Sequence, residues 1–120
     1  MVTPARGVAW IVEATGCPPA RLRDRRRLAA LFRQALRDLE LHPVGPSRWH
    51  RFPAPGGLTG FQMLRESHLA VHTFPEFGSA CLDLFCCRTR PPWDWTAACR
   101  RHLGARSVRV RRLPRPYARA

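Results

Sequence analysis

LTGFQMLRESHLAVHTFPEFGSACLDLFCC, residues 58–87, decides the fold. Leu58 to Arg65, His68 to Phe74 and Ser79 to Cys87 read as three successive strands, rich in the apolar and aromatic residues that suit a pleated surface. In the last of them Cys81, Asp83 and Phe85 fall on one side and Leu82, Leu84 and Cys86 on the other, the period of two that a strand imposes. Pro75-Glu76-Phe77-Gly78 reads as the turn between the second strand and the third.

Outward from this block, Val8 to Ala14 (VAWIVEA) is a short apolar run bounded by Gly7 and by Gly16 with Pro18-Pro19, and reads as a buried strand. Beyond the prolines, Leu28, Leu31, Phe32, Ala35, Leu36 and Leu39 recur at i, i+3 and i+4, with Arg and Asp on the other face. That is an amphipathic helix with one face for a sheet and one for water. His42 to Pro55 holds four prolines and a glycine, and so reads as a loop or a broken edge strand ending in His50-Arg51-Phe52. Pro91-Pro92 opens a second helix through Leu103, with Asp94 near its start and Gly104 just past its end. Ser107 to Leu113 alternates like a final strand, and Pro114 to Ala120 is expected to fray. Strands in a run with helices set apart predict one α+β domain, a two-layer sandwich with a mainly antiparallel sheet and two helices on one face.

At 120 residues, 45% of them hydrophobic, the chain can bury one core and is too short for two. A net charge of +13 first suggests nucleic acid, because Arg clusters neutralise phosphates. All 21 basic residues are Arg, however, and they are scattered, dense only over Arg21 to Arg27 and Arg106 to Arg115. The first of these runs coincides with the wet face of a helix, so nucleic acid is not the expected partner. The five cysteines, Cys17, Cys81, Cys86, Cys87 and Cys99, are odd in number and include no C-x-x-C pair, which argues against disulfides and a zinc site. The apolar run from Gly7 is too short for a signal peptide core and no stretch approaches a membrane span, so a cytoplasmic protein with free thiols is expected.

Across residues 65–78 and 83–87 the chain gathers a Ser, two His, two Glu and a Cys pair among apolar strand residues. Each alone has a bland explanation: Ser67 as a turn residue, His68 or His72 as a half-buried histidine, Cys87 as a small core residue. Their joint spacing is another matter.

Glu66-Ser67-His68-Leu69-Ala70-Val71-His72-Thr73-Phe74-Pro75-Glu76-Phe77-Gly78, followed by Asp83-Leu84-Phe85-Cys86-Cys87, resembles the hallmark of the prokaryotic S-adenosylmethionine decarboxylases, roughly E-S-H-[LI]-x-[IV]-H-T-[WF]-P-E-x-G and then D-[LV]-F-x-C. His50-Arg51-Phe52 and Gly57-Leu58-Thr59-Gly60 are similar to the family's H-R-F and G-V-S-G. The first strand and its following helix keep the family's order, so the resemblance covers nearly the whole chain.

The resemblance implies a proenzyme that cuts itself between Glu66 and Ser67 into residues 1–66 and 67–120. In chemical terms, a Ser after a strained peptide attacks the preceding carbonyl, giving an ester. Loss of the Ser α-proton then expels the upstream carboxylate, and the remaining dehydroalanine becomes a pyruvoyl group and ammonia. The family pattern assigns Ser67 as that residue, Thr59 and His72 as its helpers in processing, with His72 as proton acceptor, and Cys87 as the later proton donor. His72 lies five residues after Ser67, on the opposite strand face in simple alternation, so bringing the two together calls for a twist or bulge. In turnover the pyruvoyl group forms a Schiff base with the substrate amine, the part pyridoxal phosphate plays elsewhere. Neither pyridoxal phosphate nor a metal is implied. Phe52 would stack on adenine, Phe74 would add an apolar wall, and Glu76 would accept from ribose hydroxyls. Cys86, facing away from Cys87, reads as packing.

Four positions depart from the pattern: Arg65 stands where the family usually has Ser, Phe74 replaces Trp, Ser79 replaces an aromatic residue and Cys86 replaces Thr. They leave S-adenosylmethionine, ornithine and arginine as candidate substrates, with an Arg-rich nucleic-acid-binding module as the non-catalytic alternative. The expected assembly is a homodimer of cleaved protomers with active sites near the interface, making the aminopropyl donor for spermidine synthesis.

Overall fold

The computed structural model describes residues 6–118. Six strands form one sheet, β1 (Arg6–Thr15), β2 (Arg48–Arg51), β3 (Leu58–Leu64), β4 (Ser67–Phe74), β5 (Ser79–Cys86) and β6 (Ser107–Pro116), in the order β2-β3-β4-β5-β1-β6. Every neighbouring pair is antiparallel. Helices α1 (Pro19–Leu22), α2 (Arg25–Asp38) and α3 (Trp95–Leu103) supply the second layer. The α+β sandwich is therefore as expected, with one helix more: α1 is a single turn, too short to leave a periodic signal.

Local chemistry sets the helix bounds. The Asp24 side chain accepts from the Arg26 amide at 3.0 Å to start α2, and Leu28, Leu31, Phe32 and Ala35 then repeat on the buried face. Asp94 caps α3 by accepting from the Ala97 amide at 2.9 Å. The second long helix thus begins at Trp95, directly after its Asp94 cap, and not at the prolines, where Pro91 is kept out of the helical region by the proline that follows it. Pro75–Phe77 is one 3₁₀ turn, closed by Gly78 at φ 64°, a left-handed conformation that glycine adopts without a Cβ clash.

The last strand was expected to fray from Pro114, but it stays in register with β1 through Val8↔Pro114 and Arg6↔Pro116. Proline is tolerated there because β6 is an edge strand, where its missing N–H can point to solvent. Residues 119–120 of that tail lie outside the described residues.

The core sits between the sheet and the helices. Val12, Ala14, Leu58, Leu64, Leu69, Val71, Leu82, Leu84 and Cys86 from alternate strand positions meet Leu22, Leu28, Leu31, Phe32, Trp95 and Leu103. Thr73, buried among them, donates to the Leu22 carbonyl at 2.8 Å and accepts from the Leu58 amide at 2.9 Å, tying α1 to β3 and β4. The opposite sheet face carries an apolar patch beside the charged residues Glu13, Asp83 and Arg111. Phe61 and His68 stack at 6.0 Å, His68 and Phe85 at 6.0 Å, and the Arg115 guanidinium lies over Phe85. Met63 is 51% and Leu113 42% exposed beside them, and among the described residues no helix covers this face.

Candidate active site

Two clusters form at opposite ends of β4. At the first, β3 and β4 place Thr59 across from His72, and Thr59 Oγ1 lies 2.9 Å from His72 Nδ1. The pair opens into a groove of about 470 Å³ lined by Phe52, Pro53, Thr59, His72, Phe74 and Glu76, among others. A groove of that volume suits a nucleoside-sized ligand. The loop that supplies Phe52 is fastened by its own backbone, Phe52 N–H to the Gly57 carbonyl at 2.9 Å, and by Arg51, which donates to the carbonyls of Gly56 and Arg23. A Cβ on Gly57 would stand 2.5 Å from the Thr73 carbonyl oxygen, so the approach of that loop to β4 requires glycine. His50 meets Phe52 edge to face at 4.8 Å, and Phe52 is left 49% exposed.

The second cluster surrounds the β3–β4 turn. Leu64 and Ser67 pair across a two-residue connection, Arg65-Glu66. The Cys87 thiol donates to the Glu66 carbonyl oxygen at 2.7 Å, the carbonyl that precedes Ser67. Arg88 grips the Glu66 carboxylate with Nε at 2.9 Å and a terminal nitrogen at 3.1 Å, the fork geometry of a bidentate pair. Ser67 pairs with Cys86 on β5. Burial pushes the Cys86 thiol up, against the opposing pull of the Arg90 guanidinium, by charge and by hydrogen bonding, and of Ser67 beside it. A cavity of about 90 Å³ beside Ser67 is walled by His42, Leu64, Arg65, Glu66, Arg88 and Arg90.

Sequence alternation anticipated the gap between Ser67 and His72, and the bulge or twist that would have closed it is absent. β4 pairs residue for residue from Ser67↔Cys86 to Phe74↔Ser79. Ser67 shares its face with buried Leu69, Val71 and Thr73, whereas His72 lies with exposed His68 and Phe74 on the open face. Five residues of strand separate the two clusters by roughly 16 Å. The structure thus brings together Phe52, Thr59, His72, Phe74 and Glu76, and separately Glu66, Ser67 and Cys87.

Two features escaped the sequence reading. Cys86, expected only to pack, touches Ser67 as well as the core. Arg65, Arg88 and Arg90 converge on the turn from both of its flanks, and nothing in a scattered Arg composition distinguishes them.

A family model described as S-adenosylmethionine decarboxylase matches residues 8–116. The chain is 36% identical over 114 residues to the S-adenosylmethionine decarboxylase proenzyme of Carboxydothermus hydrogenoformans, covering 92% of this chain and 87% of that protein. It is 37% identical over 84 residues to the proenzyme of the same description from Thermococcus gammatolerans, and there the match spans 70% of this chain and 57% of that protein's length. The solved structure of the adenosylmethionine decarboxylase from Aquifex aeolicus superposes with a TM-score of 0.76 over 98% of this chain and 96% of that one, at 20% identity, and shares the fold.

Proposed function

Since the chain belongs to the S-adenosylmethionine decarboxylase family, we propose that it is the precursor of a pyruvoyl-dependent decarboxylase that cleaves itself between Glu66 and Ser67 and acts on S-adenosylmethionine. The observation that carries this reading is the Cys87 thiol on the Glu66 carbonyl oxygen. Attack of Ser67 Oγ on that carbonyl carbon puts negative charge on its oxygen, and a donor already in place stabilises the charge as it develops. Cys87 then serves twice, as donor during processing and as proton donor to the substrate α-carbon during turnover. The pyruvoyl group derived from Ser67 supplies the electron-withdrawing carbonyl that decarboxylation needs, without metal or pyridoxal phosphate.

The groove supports the choice of substrate. Phe52 offers an exposed ring face for adenine, and Glu76 offers acceptors for two ribose hydroxyls. A short amino acid such as ornithine or arginine would leave both idle.

The separation of the two clusters supports a homodimer with composite sites. Ser67 and Cys87 of one protomer work with Thr59, His72, Phe52, Phe74 and Glu76 of the other. His72 is then the base that takes the Ser67 α-proton, and Thr59 holds its ring through Nδ1. The uncovered apolar face, with Phe61, Met63, His68 and Phe85, is the surface on which the protomers meet, because a patch of this kind is costly to leave in water. The working site is the cytoplasm, and the product is the aminopropyl donor for spermidine synthesis.

The test is an intact mass spectrum of purified protein, followed by carbon dioxide release from the three candidate substrates at matched concentration. Two fragments, 1–66 and 67–120 with a blocked second N-terminus, and release from S-adenosylmethionine are expected. A lone 13.7 kDa species after long incubation refutes self-processing, and release confined to ornithine or arginine refutes the substrate.

A further inference from the structure

We infer that the cavity walled by Arg65, Arg88 and Arg90 is a carboxylate site built for the new C-terminus of the upstream chain, and that Arg90 and Arg88 assist its departure from Ser67. The inference rests on the self-cleavage reading above and adds to it the groups that receive the leaving carboxylate.

Charge around the cavity is unbalanced before the cut. Three arginines, Arg65, Arg88 and Arg90, line it with a single acidic residue, Glu66, whose carboxylate Arg88 grips. That leaves positive charge in excess where the chain is about to break. Ordinary hydrolysis of a peptide bond creates a carboxylate and an ammonium side by side, and each neutralises the other. Here the nitrogen departs as ammonia and the new N-terminus carries no charge. The carboxylate formed at Glu66 therefore lacks the ammonium partner that hydrolysis would give it, and the arginines around the cavity stand where one is needed.

Arg90 holds a weakly engaged donor for it. A terminal nitrogen of its guanidinium donates to the Glu40 carbonyl at 3.0 Å, while its buried Nε meets no nitrogen or oxygen acceptor among the described residues, and the guanidinium otherwise faces only the Cys86 thiol, a poor acceptor. A native structure rarely leaves such an atom unsatisfied without a use for it. The cavity has room for a carboxylate group, and Ser67 and Glu66 form part of its wall. The substrate's own carboxylate is a poor occupant, because ion pairing would hold it in the ground state and oppose loss of carbon dioxide.

In the ester, Ser67 Oγ is bonded to the Glu66 carbonyl carbon. A base, His72 of the second protomer, takes the Ser67 α-proton, the C–H electron pair forms the Cα–Cβ double bond, and the Cβ–Oγ bond breaks with its electrons going to Oγ. Oγ thus leaves as part of the Glu66 carboxylate. Negative charge grows on that group during the step, and cations beside it lower the barrier.

The experiment compares maturation of wild type, Arg90→Gln, Arg90→Lys and the exposed-site variant Arg88→Gln by intact mass, with and without hydroxylamine, which cleaves esters and spares amides. Elimination in Arg90→Gln is expected to slow about 10- to 100-fold, the worth of one hydrogen bond to a charged group, so that a hydroxylamine-sensitive 13.7 kDa species accumulates. Arg90→Lys should recover part of the rate, and Arg88→Gln should accumulate the same ester to a lesser extent. Variants that mature as fast as wild type, or that stall as a hydroxylamine-resistant amide, overturn the inference while self-cleavage stands. A wild-type chain that never cleaves overturns the reading on which it rests.

Discussion

Mixed dimers put the composite site to a direct test. Ser67 and His72 lie on opposite faces of an uninterrupted strand, roughly 16 Å apart along it at about 3.3 Å per residue, farther than a hydroxymethyl and an imidazole can span. If the site forms between protomers, Ser67→Ala and His72→Ala should each remain uncut alone, yet complement each other when co-expressed. In a mixed dimer, one of the two sites collects both substitutions and is dead. The other combines an intact Ser67 from the His72→Ala chain with an intact His72 from the Ser67→Ala chain. Random pairing makes half of the dimers mixed, so about half of the His72→Ala chains, roughly a quarter of all chains, should be cleaved. Different affinity tags and intact mass spectrometry would read the fraction and show which chain was cut. No cleavage in the mixture, with mixed dimers verified by tandem purification, would refute the composite arrangement, and wild-type maturation of His72→Ala alone would refute the role of His72.

Three further outcomes are expected. Cys87→Ala should decarboxylate about 100- to 10,000-fold more slowly, the usual worth of general acid catalysis, and mature more slowly too, whereas Cys86→Ala should spare turnover; equal losses in both would overturn the assignment. Phe52→Ala should raise KM for S-adenosylmethionine with little change in kcat, since its ring is proposed to hold the adenine and not the reacting carboxylate, and a fall in kcat alone would contradict a binding role. Burial, and then the charges of Arg101, Arg27 and Arg33, lower the pKa of His102 below 6.5 in the fold. Its contribution to stability is therefore complete above the unfolded value of about 6.5 and is lost as pH falls through the folded one. Urea midpoints of the Ser67→Ala precursor should drop between pH 7 and 5, and His102→Gln should drop less; identical slopes would show that His102 contributes nothing.

Periodicity made the sheet and its helices readable, because a pleat and a helical turn each leave a repeat that one sequence can display. The inward set Leu82, Leu84 and Cys86 and the helix residues Leu28, Leu31, Phe32 and Ala35 are buried as their spacing required. The end of β6 was not readable. Pro114 and Pro116 look like a stop, and only their place on the sheet edge makes them tolerable. The candidate site residues followed the same division. Thr59 and His72 meet because adjacent strands put them in register. The convergence of Arg65, Arg88 and Arg90 and the contact of Cys86 with Ser67 depend on how the β3–β4 turn meets the segment after β5, and no local pattern encodes that.

Strand order gives the cut a consequence of its own. β1 comes from residues 1–66 yet lies between β5 and β6, both from 67–120, and β3 pairs with β4 across the proposed break. The precursor can form this interleaved sheet in a unimolecular reaction, its ends tethered by the chain. Two severed polypeptides would have to find each other first, so reassembly becomes second order and fails on dilution. If the chain cuts itself as proposed, folding must precede cutting, and heat denaturation of the cut molecule is expected to be a one-way event on dilution, which refolding yields of cut and uncut protein would check.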